Sequence, residues 1–284
     1  MITEGHDASL ADLDLRATAE VVRALNDANA VVLDALREAE GALAALVDAA
    51  AGCERVVYVG AGSAGAMAAA DAAEWGPTFS FDGAVAVVAG AALPAGPARE
   101  AAEDDVDAGA VELRALRPTG DDVVVAVSAS GSTPYALGAL RAAREAGALT
   151  AAIVCVPGSA LAELADHAVV LAVGPEVVAG STRLKAGTAQ KLALNAFSTA
   201  LMVRRGRTYG NLMSSMRVAN AKLRERAVRI CCAGAGCDED AARAALAAAG
   251  DELEVALVML LAGVDAEAAR TRLAAAGSVR EAAR

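Results

Sequence analysis

Five short runs of apolar residues, each leading into a loop or a helical pattern, restrict this 284-residue chain more than any other feature. They are RVVYVG (55–60), GAVAVVAG (83–90), DDVVVAV (121–127), LTAAIVCV (149–156) and HAVVLAV (167–173). Strands that are apolar at consecutive rather than alternate positions need cover on both faces. Spaced by helices, they specify a doubly wound α/β fold, a parallel sheet between two helix layers. The same pattern gives the flanks. Residues 8–50 read as two N-terminal helices, with Ser9 or Asp12 capping the first. KAGTAQKLALNAFSTALMVRR (185–205) is one long, nearly all-apolar helix, buried in the core or between subunits. From about residue 225, glycines at Gly234, Gly236, Gly250, Gly263 and Gly277 divide a small three-helix domain. The expected division is therefore 1–45 (N-terminal helical segment), 46–224 (sheet domain) and 225–284 (small helical C-terminal domain).

Composition excludes several classes of function. The chain is 56% apolar but only 2% aromatic, much of the remainder being alanine, which describes a core of small side chains. The long apolar stretches at 84–98 and 148–162 are broken by Pro94, Pro97 and Pro157. They fall short of the roughly 18–20 residues of a spanning helix, so no membrane segment is expected. The acidic start MITEGHDASLADLD has neither a basic nor an apolar leader region, which predicts a cytoplasmic protein. A net charge of −11 argues against nucleic acid as a partner. Of the five cysteines, Cys231, Cys232 and Cys237 lie close together without a second ligand cluster, and His6 and His167 are remote. They read as thiols rather than as a disulfide framework or a zinc site, and no metal is expected.

Two loops carry the candidate chemistry. GAGSAG (60–65) follows a strand and fits the dinucleotide fingerprint, but the only suitable acidic residue, Asp82, precedes the next strand instead of ending it. SASGSTPY (128–135) repeats the plan of strand, small-residue loop and helix with hydroxyls in place of glycines. Ser128, Ser130, Ser132 and Thr133 at a helix N-terminus suit a phosphate monoester; the alternative is that Ser132 or Thr133 simply caps the helix before Pro134. Neither histidine sits in a catalytic setting, which leaves acid–base work to carboxylates or lysine. Glu74 stands at the end of an alanine helix before a Gly-Pro break. Glu100, Glu103, Asp104 and Asp105 read by pattern alone as a solvated acidic face.

GPEVVAGSTRLKAGTAQKLALN (174–195) is the most specific stretch. It resembles the signature shared by N-acetylmuramic acid 6-phosphate etherases and the glucokinase regulatory protein, both built on the sugar isomerase (SIS) domain. MITEG, DAAEWGPTF, EAAEDD, SASGSTPY, RTYGNLM (207–213) and AGCDEDAARAAL (235–246) follow the etherase order over nearly the whole chain. The resemblance implies a SIS-type, flavodoxin-like sheet. It also implies a carbon–oxygen lyase that converts N-acetylmuramic acid 6-phosphate into N-acetylglucosamine 6-phosphate and D-lactate during recycling of cell-wall sugar, with no cofactor. Carried over, Glu74 and Glu103 are the catalytic carboxylates. Gly62, Ser63, Ser128, Ser130, Gly131, Ser132, Thr133, Glu176, Ser181 and Lys185 would hold the sugar phosphate. The alternative for Lys185 is an ion pair in a subunit interface.

The sequence also departs from the family pattern. Gly-Thr-Ser-Gly-Arg is replaced by Gly62, Ser63, Ala64, Gly65 and Ala66, and Ala-Ser-Gly-Arg-Thr by Ala129, Ser130, Gly131, Ser132 and Thr133. Both loop arginines are absent. Further readings therefore stand beside the etherase: a non-catalytic sugar-phosphate sensor, a relative acting on another amino-sugar phosphate, and an aldose–ketose isomerase on the same scaffold. A helix running through residues 64–74 would put Glu74 on the order of 15 Å from Ser63, farther than a hexose phosphate reaches from phosphorus to C3. Either a second subunit closes the site or the helix breaks early. The apolar helix 185–204 also predicts a homodimer with the site near its interface.

Overall fold

The computed structural model describes residues 5–94 and 96–284. The first four residues of MITEG therefore lie outside the described residues. By contacts the chain divides into two compact units, residues 1–72 with 83–197 and residues 73–82 with 198–284.

In the first unit, two 3₁₀ turns precede α1 (Thr18–Ala28) and α2 (Ala30–Ala50). Neither Ser9 nor Asp12 caps α1. Asp7 instead accepts from the amide of Ser9, Asp12 pairs with Arg16, and Glu20 accepts the amide of Ala17 at the true start of α1. Then come β1 (Arg55–Gly60), α3 (Gly62–Phe79), β2 (Ala84–Val88), the single turn α4 (Pro97–Ala101), α5 (Val106–Ala115), β3 (Asp122–Ser128), α6 (Pro134–Glu145), β4 (Leu149–Val154), the short α7 (Ala160–Leu164) and β5 (His167–Val170). The long α8 (Lys185–Arg204) begins in this unit and runs on into the second. All five strands are parallel, in the order β2-β1-β3-β4-β5. Chain direction across the sheet reverses between β1 and β3, the place where an open α/β sheet leaves a crevice at its carboxyl edge.

Both faces of the sheet are covered, as continuous apolar strands require. Every residue of β3 is buried. On one face Val57, Val59, Val124 and Ala126 pack with Leu113, Tyr135, Ala139, Leu140 and Leu161 from α5, α6 and α7. On the other face Tyr58 donates its hydroxyl to Asp71 of α3 at 2.8 Å, and its ring meets the edge of Phe197 from α8 at 6.4 Å. Helices α5 and α6 press together through glycines: a Cβ placed on Gly109 would lie 2.0 Å from the Tyr135 carbonyl oxygen, and one on Gly138 would lie 1.8 Å from that of Val106. At the base of the sheet Arg55 grips buried Asp122 with two bonds of 2.8 and 2.7 Å, and the amide of Thr119 adds a third at 2.7 Å.

In the second unit α9 (Ala221–Ala235), α10 (Glu239–Ala248), α11 (Leu253–Ala262), α12 (Ala266–Ala276) and the turn α13 (Val279–Ala282) enclose a core of Met216, Val228, Cys231, Leu246, Leu257 and neighbours. The region is helical as expected but in five pieces, because Gly236, Gly250, Gly263 and Gly277, all at positive φ, end four helices in succession; α9 itself starts before residue 225, where Asn220 accepts from the amide of Leu223. Trp75 is buried here against Phe81, with the Arg205 guanidinium on the other ring at 4.9 Å. The Gly-Pro pair does not break α3, since Pro77 falls in its last turn and the helix continues to Phe79. Among the described residues no helix is long and apolar enough to cross a membrane.

Two stability experiments follow from this packing. Gly138→Ala should lower stability by about 3 kcal/mol or more, because backbone must move to admit the methyl group. Gly41→Ala in α2, where nothing lies within 4 Å, should instead raise it by about 0.5–1 kcal/mol; thermal melting reads both. Burial raises the Asp122 pKa, but the bonds from Arg55 and the Thr119 amide outweigh it and hold the carboxyl below its ordinary 3.8. That stabilisation is complete above 3.8 and is lost as pH falls below it towards the folded-state value. Asp122→Asn should therefore melt lower than the natural chain near neutral pH, with the gap closing in acid.

Candidate functional site

The site is built where β1 and β3 end. Behind β1 the backbone of α3 comes so close that a Cβ on Gly65 would stand 2.9 Å from the Gly60 carbonyl oxygen and 2.7 Å from Val88. The glycines of GAGSAG thus serve a tight strand–helix junction. The loop is shorter than its sequence suggests, for α3 already starts at Gly62, with φ +52°, and carries Ser63 in its first turn.

Beyond β3 the hydroxyls form a closed network. Ser128 Oγ accepts the amide of Gly131 at 3.0 Å and lies 2.8 Å from Thr133 Oγ1 and 3.3 Å from Ser130 Oγ. Ser130 Oγ accepts the amide and the hydroxyl of Ser132 at 3.2 and 3.1 Å. Gly131 has φ +68°, and a Cβ there would meet Ser159 Oγ at 2.1 Å, so the turn admits only glycine. Thr133 is the N-cap residue of α6 but makes no cap bond; its hydroxyl donates to Glu103 Oε1 at 3.3 Å. The capping alternative for Thr133 is therefore not what the chain adopts, and among the described residues no side chain caps the first turn of α6.

These loops, with Glu103 from the 3₁₀ turn after α4, enclose a cavity of about 220 Å³. Its walls are Ala61, Gly62, Ser63 and Ala64 from the first loop and Ser128, Ala129, Ser130 and Thr133 from the second. Glu103, Thr182 and Gln190 complete them. Among the described residues that wall it, Glu103 is the only carboxylate, and there is no lysine or arginine. A larger cavity of about 720 Å³ lies in the helical unit. Its charged groups are already engaged: Arg217 with Asp82, Glu254 with Ser215, and Arg270 with Glu252 at 2.7 Å. The smaller cavity offers the open polar groups.

Residues singled out in the sequence divide accordingly. Gly62, Ser63, Glu103, Ser128, Ser130 and Thr133 meet around the cavity; Gly131 and Ser132 shape its second loop. Ser132 and Ala66, standing where the family's arginines are usual, are both exposed. Glu74 is exposed on α3, about three turns beyond Gly62, and is not among the cavity's walls. Since α3 is unbroken to Phe79, an early helix break does not bring it closer.

In the signature, Glu176 is 1% exposed and both its oxygens are occupied, by the amides of Lys185 at 3.0 Å and Ala186 at 2.9 Å. It caps α8. Lys185 is buried in the first turn of that helix, and the Ser181 amide bonds the Val178 carbonyl. Thr182 and Gln190 are not evident in the sequence; only the position of Gln190 in an apolar helix, one turn after Ala186, hints at a buried polar role. Burial, then the Glu176 carboxylate, push the Cys155 thiol up to about 12, so it stays protonated. Among the described residues no group of three His, Cys, Asp or Glu side chains is placed to hold a metal.

Comparison with known proteins places this geometry in context. The SIS domain profile matches residues 108–200, and that of the glucokinase regulatory protein N-terminal SIS domain matches residues 39–144. The N-acetylmuramic acid 6-phosphate etherase of Rubrobacter xylanophilus is 49% identical over 92% of this chain and 89% of its own. That of Deinococcus radiodurans is 47% identical over 91% and 87%. A solved protein of Escherichia coli CFT073 shares the fold at a TM-score of 0.51 and 21% identity, over 66% of this chain and 93% of that one.

The capping role of Glu176 is open to a direct check. Glu176→Ala leaves two buried amides without acceptors, at about 1–3 kcal/mol each. Its melting temperature should fall by several degrees, whereas Ser181→Ala, which removes only a hydroxyl, should melt within about a degree of the natural chain.

Proposed function

The chain belongs to the N-acetylmuramic acid 6-phosphate etherase family, and on that premise we propose how its own residues carry the reaction. The substrate is N-acetylmuramic acid 6-phosphate and the products are N-acetylglucosamine 6-phosphate and D-lactate. One observation supports this reading above the others: a carboxylate, Glu103, stands in a cavity whose remaining polar walls are hydroxyls, a carboxamide and the starts of two helices.

The phosphate sits against the first turns of α3 and α6, where backbone N–H groups and the positive ends of the helix dipoles converge, with Ser63 and Ser130 donating hydroxyls. Opening of the sugar ring exposes an aldehyde at C1 and acidifies the proton on C2. Glu103, held by the Thr133 hydroxyl, removes that proton. The electron pair expels the lactyl oxygen from C3, and a second carboxyl group protonates it. Water then adds at C3 and the C2 proton returns. Proton transfer by two positioned carboxyl groups suffices, with no cofactor involved.

Among the described residues the cavity of one chain holds a single carboxylate. We assign the acid role to Glu74 of a second copy in a homodimer, because within one chain α3 is continuous from the phosphate loop to Phe79. The active unit is then the cytoplasmic dimer, acting on a small sugar phosphate, with residues 1–45, 46–224 and 225–284 as helical entry, catalytic domain and C-terminal support.

Release of D-lactate from N-acetylmuramic acid 6-phosphate tests the activity. Glu103→Gln should lower the rate by about 10²–10⁴-fold and abolish exchange of solvent deuterium into C2. Protection against heat by the sugar phosphate, with neither lactate nor exchange, would instead identify a sensor. Glu74→Gln should be inactive alone, but mixed with Glu103→Gln it should recover about a quarter of the natural activity, since each mixed dimer retains one intact site. No recovery on subunit exchange would rule out the shared site.

A further inference from the structure

Most polar groups around the cavity are hydroxyls, which donate or accept as a ligand demands; Gln190 is different. Its side chain comes from the second turn of α8 and is 1% exposed. The carboxamide nitrogen donates to the carbonyl of Ile153 in β4 at 3.4 Å, which turns the nitrogen to the sheet and the oxygen away from it. Oε1 finds no donor among the described residues, yet it is not one of the sealed, partnerless atoms, which are Asn29 Oδ1, Ser159 Oγ and Ser214 Oγ. Gln190 is one of the cavity's walls, and its amide oxygen is an acceptor that cannot become a donor.

An acceptor of this kind repels phosphate oxygens, so Gln190 lies outside the phosphate cradle. It requires a ligand donor. Sugar hydroxyls can switch roles to suit any serine or threonine nearby, but an amide N–H can only donate. We infer that Gln190 Oε1 accepts the N–H of the 2-acetamido group, making Gln190 the residue that selects an acetylated amino sugar. This rests on the reading of the cavity as a sugar-phosphate site. Gln190 and Glu103 face the same 220 Å³, so a group held at C2 also fixes the direction of the C2–H bond towards the carboxylate that takes its proton. Gln190 is in this sense a positioning residue as well as a specificity residue.

Calorimetric titration with N-acetylglucosamine 6-phosphate and glucose 6-phosphate tests the inference. The natural chain should prefer the acetamido sugar by about fivefold to tenfold, the range one hydrogen bond confers. Gln190→Met, similar in volume but without the acceptor, should bring the two affinities within about twofold, chiefly by weakening the acetamido sugar. Gln190→Glu, which retains an acceptor oxygen, should restore the preference. Were Gln190→Met to keep the preference, or to weaken both ligands equally, the inference would be overturned. Equal affinities in the natural chain would overturn it while leaving the sugar-phosphate site intact. If the natural chain bound neither compound, the site reading itself would fail and take this inference with it.

Discussion

At four places in the sheet unit a glycine has no room for a single methyl group: Gly65 against Gly60, Gly109 against the Tyr135 carbonyl, Gly138 against the Val106 carbonyl and Gly131 against Ser159. A chain that is 2% aromatic cannot fill wide gaps between its layers. It reaches interior density by drawing backbones together, and these glycines set how close they come. The approach of α3 to β1 aims the first loop, while the clamp of Gly131 under Ser159 aims the second. Because β1 and β3 are neighbours at the reversal point of the sheet, both loops open into the same small space. Site geometry is in this way a product of core packing.

Helix ends receive different treatment around that space. Helix α8, which supplies Gln190, has its first amides occupied by a buried carboxylate, Glu176. Helices α3 and α6 have no acidic residue in their first turns, and Thr133 turns its hydroxyl away from α6 towards Glu103. A capped helix holds a wall in place. An uncapped one offers N–H groups to an anion, at the expense of some helix stability. The hydroxyls of Ser128, Ser130, Ser132 and Thr133 are mutually bonded, so the network has its shape before a ligand arrives.

The fold is legible because each strand is a continuous apolar run, and burial on two faces leaves little choice of sheet type. Helix boundaries are less so. Gly62 and Pro77 both look like breaks, yet one begins α3 and the other sits harmlessly in its last turn. The hydroxyl loop can be read from SASGSTPY directly. Glu103 cannot, since within EAAEDD nothing local separates it from Glu100 or Asp104; resemblance marks it and tertiary structure brings it to Thr133. Glu176 looks like a ligand residue because its motif is specific, but specificity of a motif does not distinguish a side chain that binds from one that holds a helix. Thr182 and Gln190 reach the cavity from far along the chain, and only the folded arrangement makes them neighbours of Ser63.

On the proposed function, absence of both family arginines changes how the phosphate is recognised. A guanidinium contributes charge and a bidentate fork, and a serine or alanine in its place supplies neither. The chain carries a net charge of −11, and among the described residues the walls of the cavity supply a carboxylate and no cation, so side-chain charge there does not favour a phosphorylated sugar. What remains is a set of fixed dipoles: backbone amides at two helix starts and hydroxyls held by one another. Such dipoles act at short range and only in fixed directions. Recognition then depends on shape and hydrogen-bond direction more than on charge. This places more of the discrimination on neutral contacts to the sugar, where a single buried acceptor counts for more than it would beside an arginine.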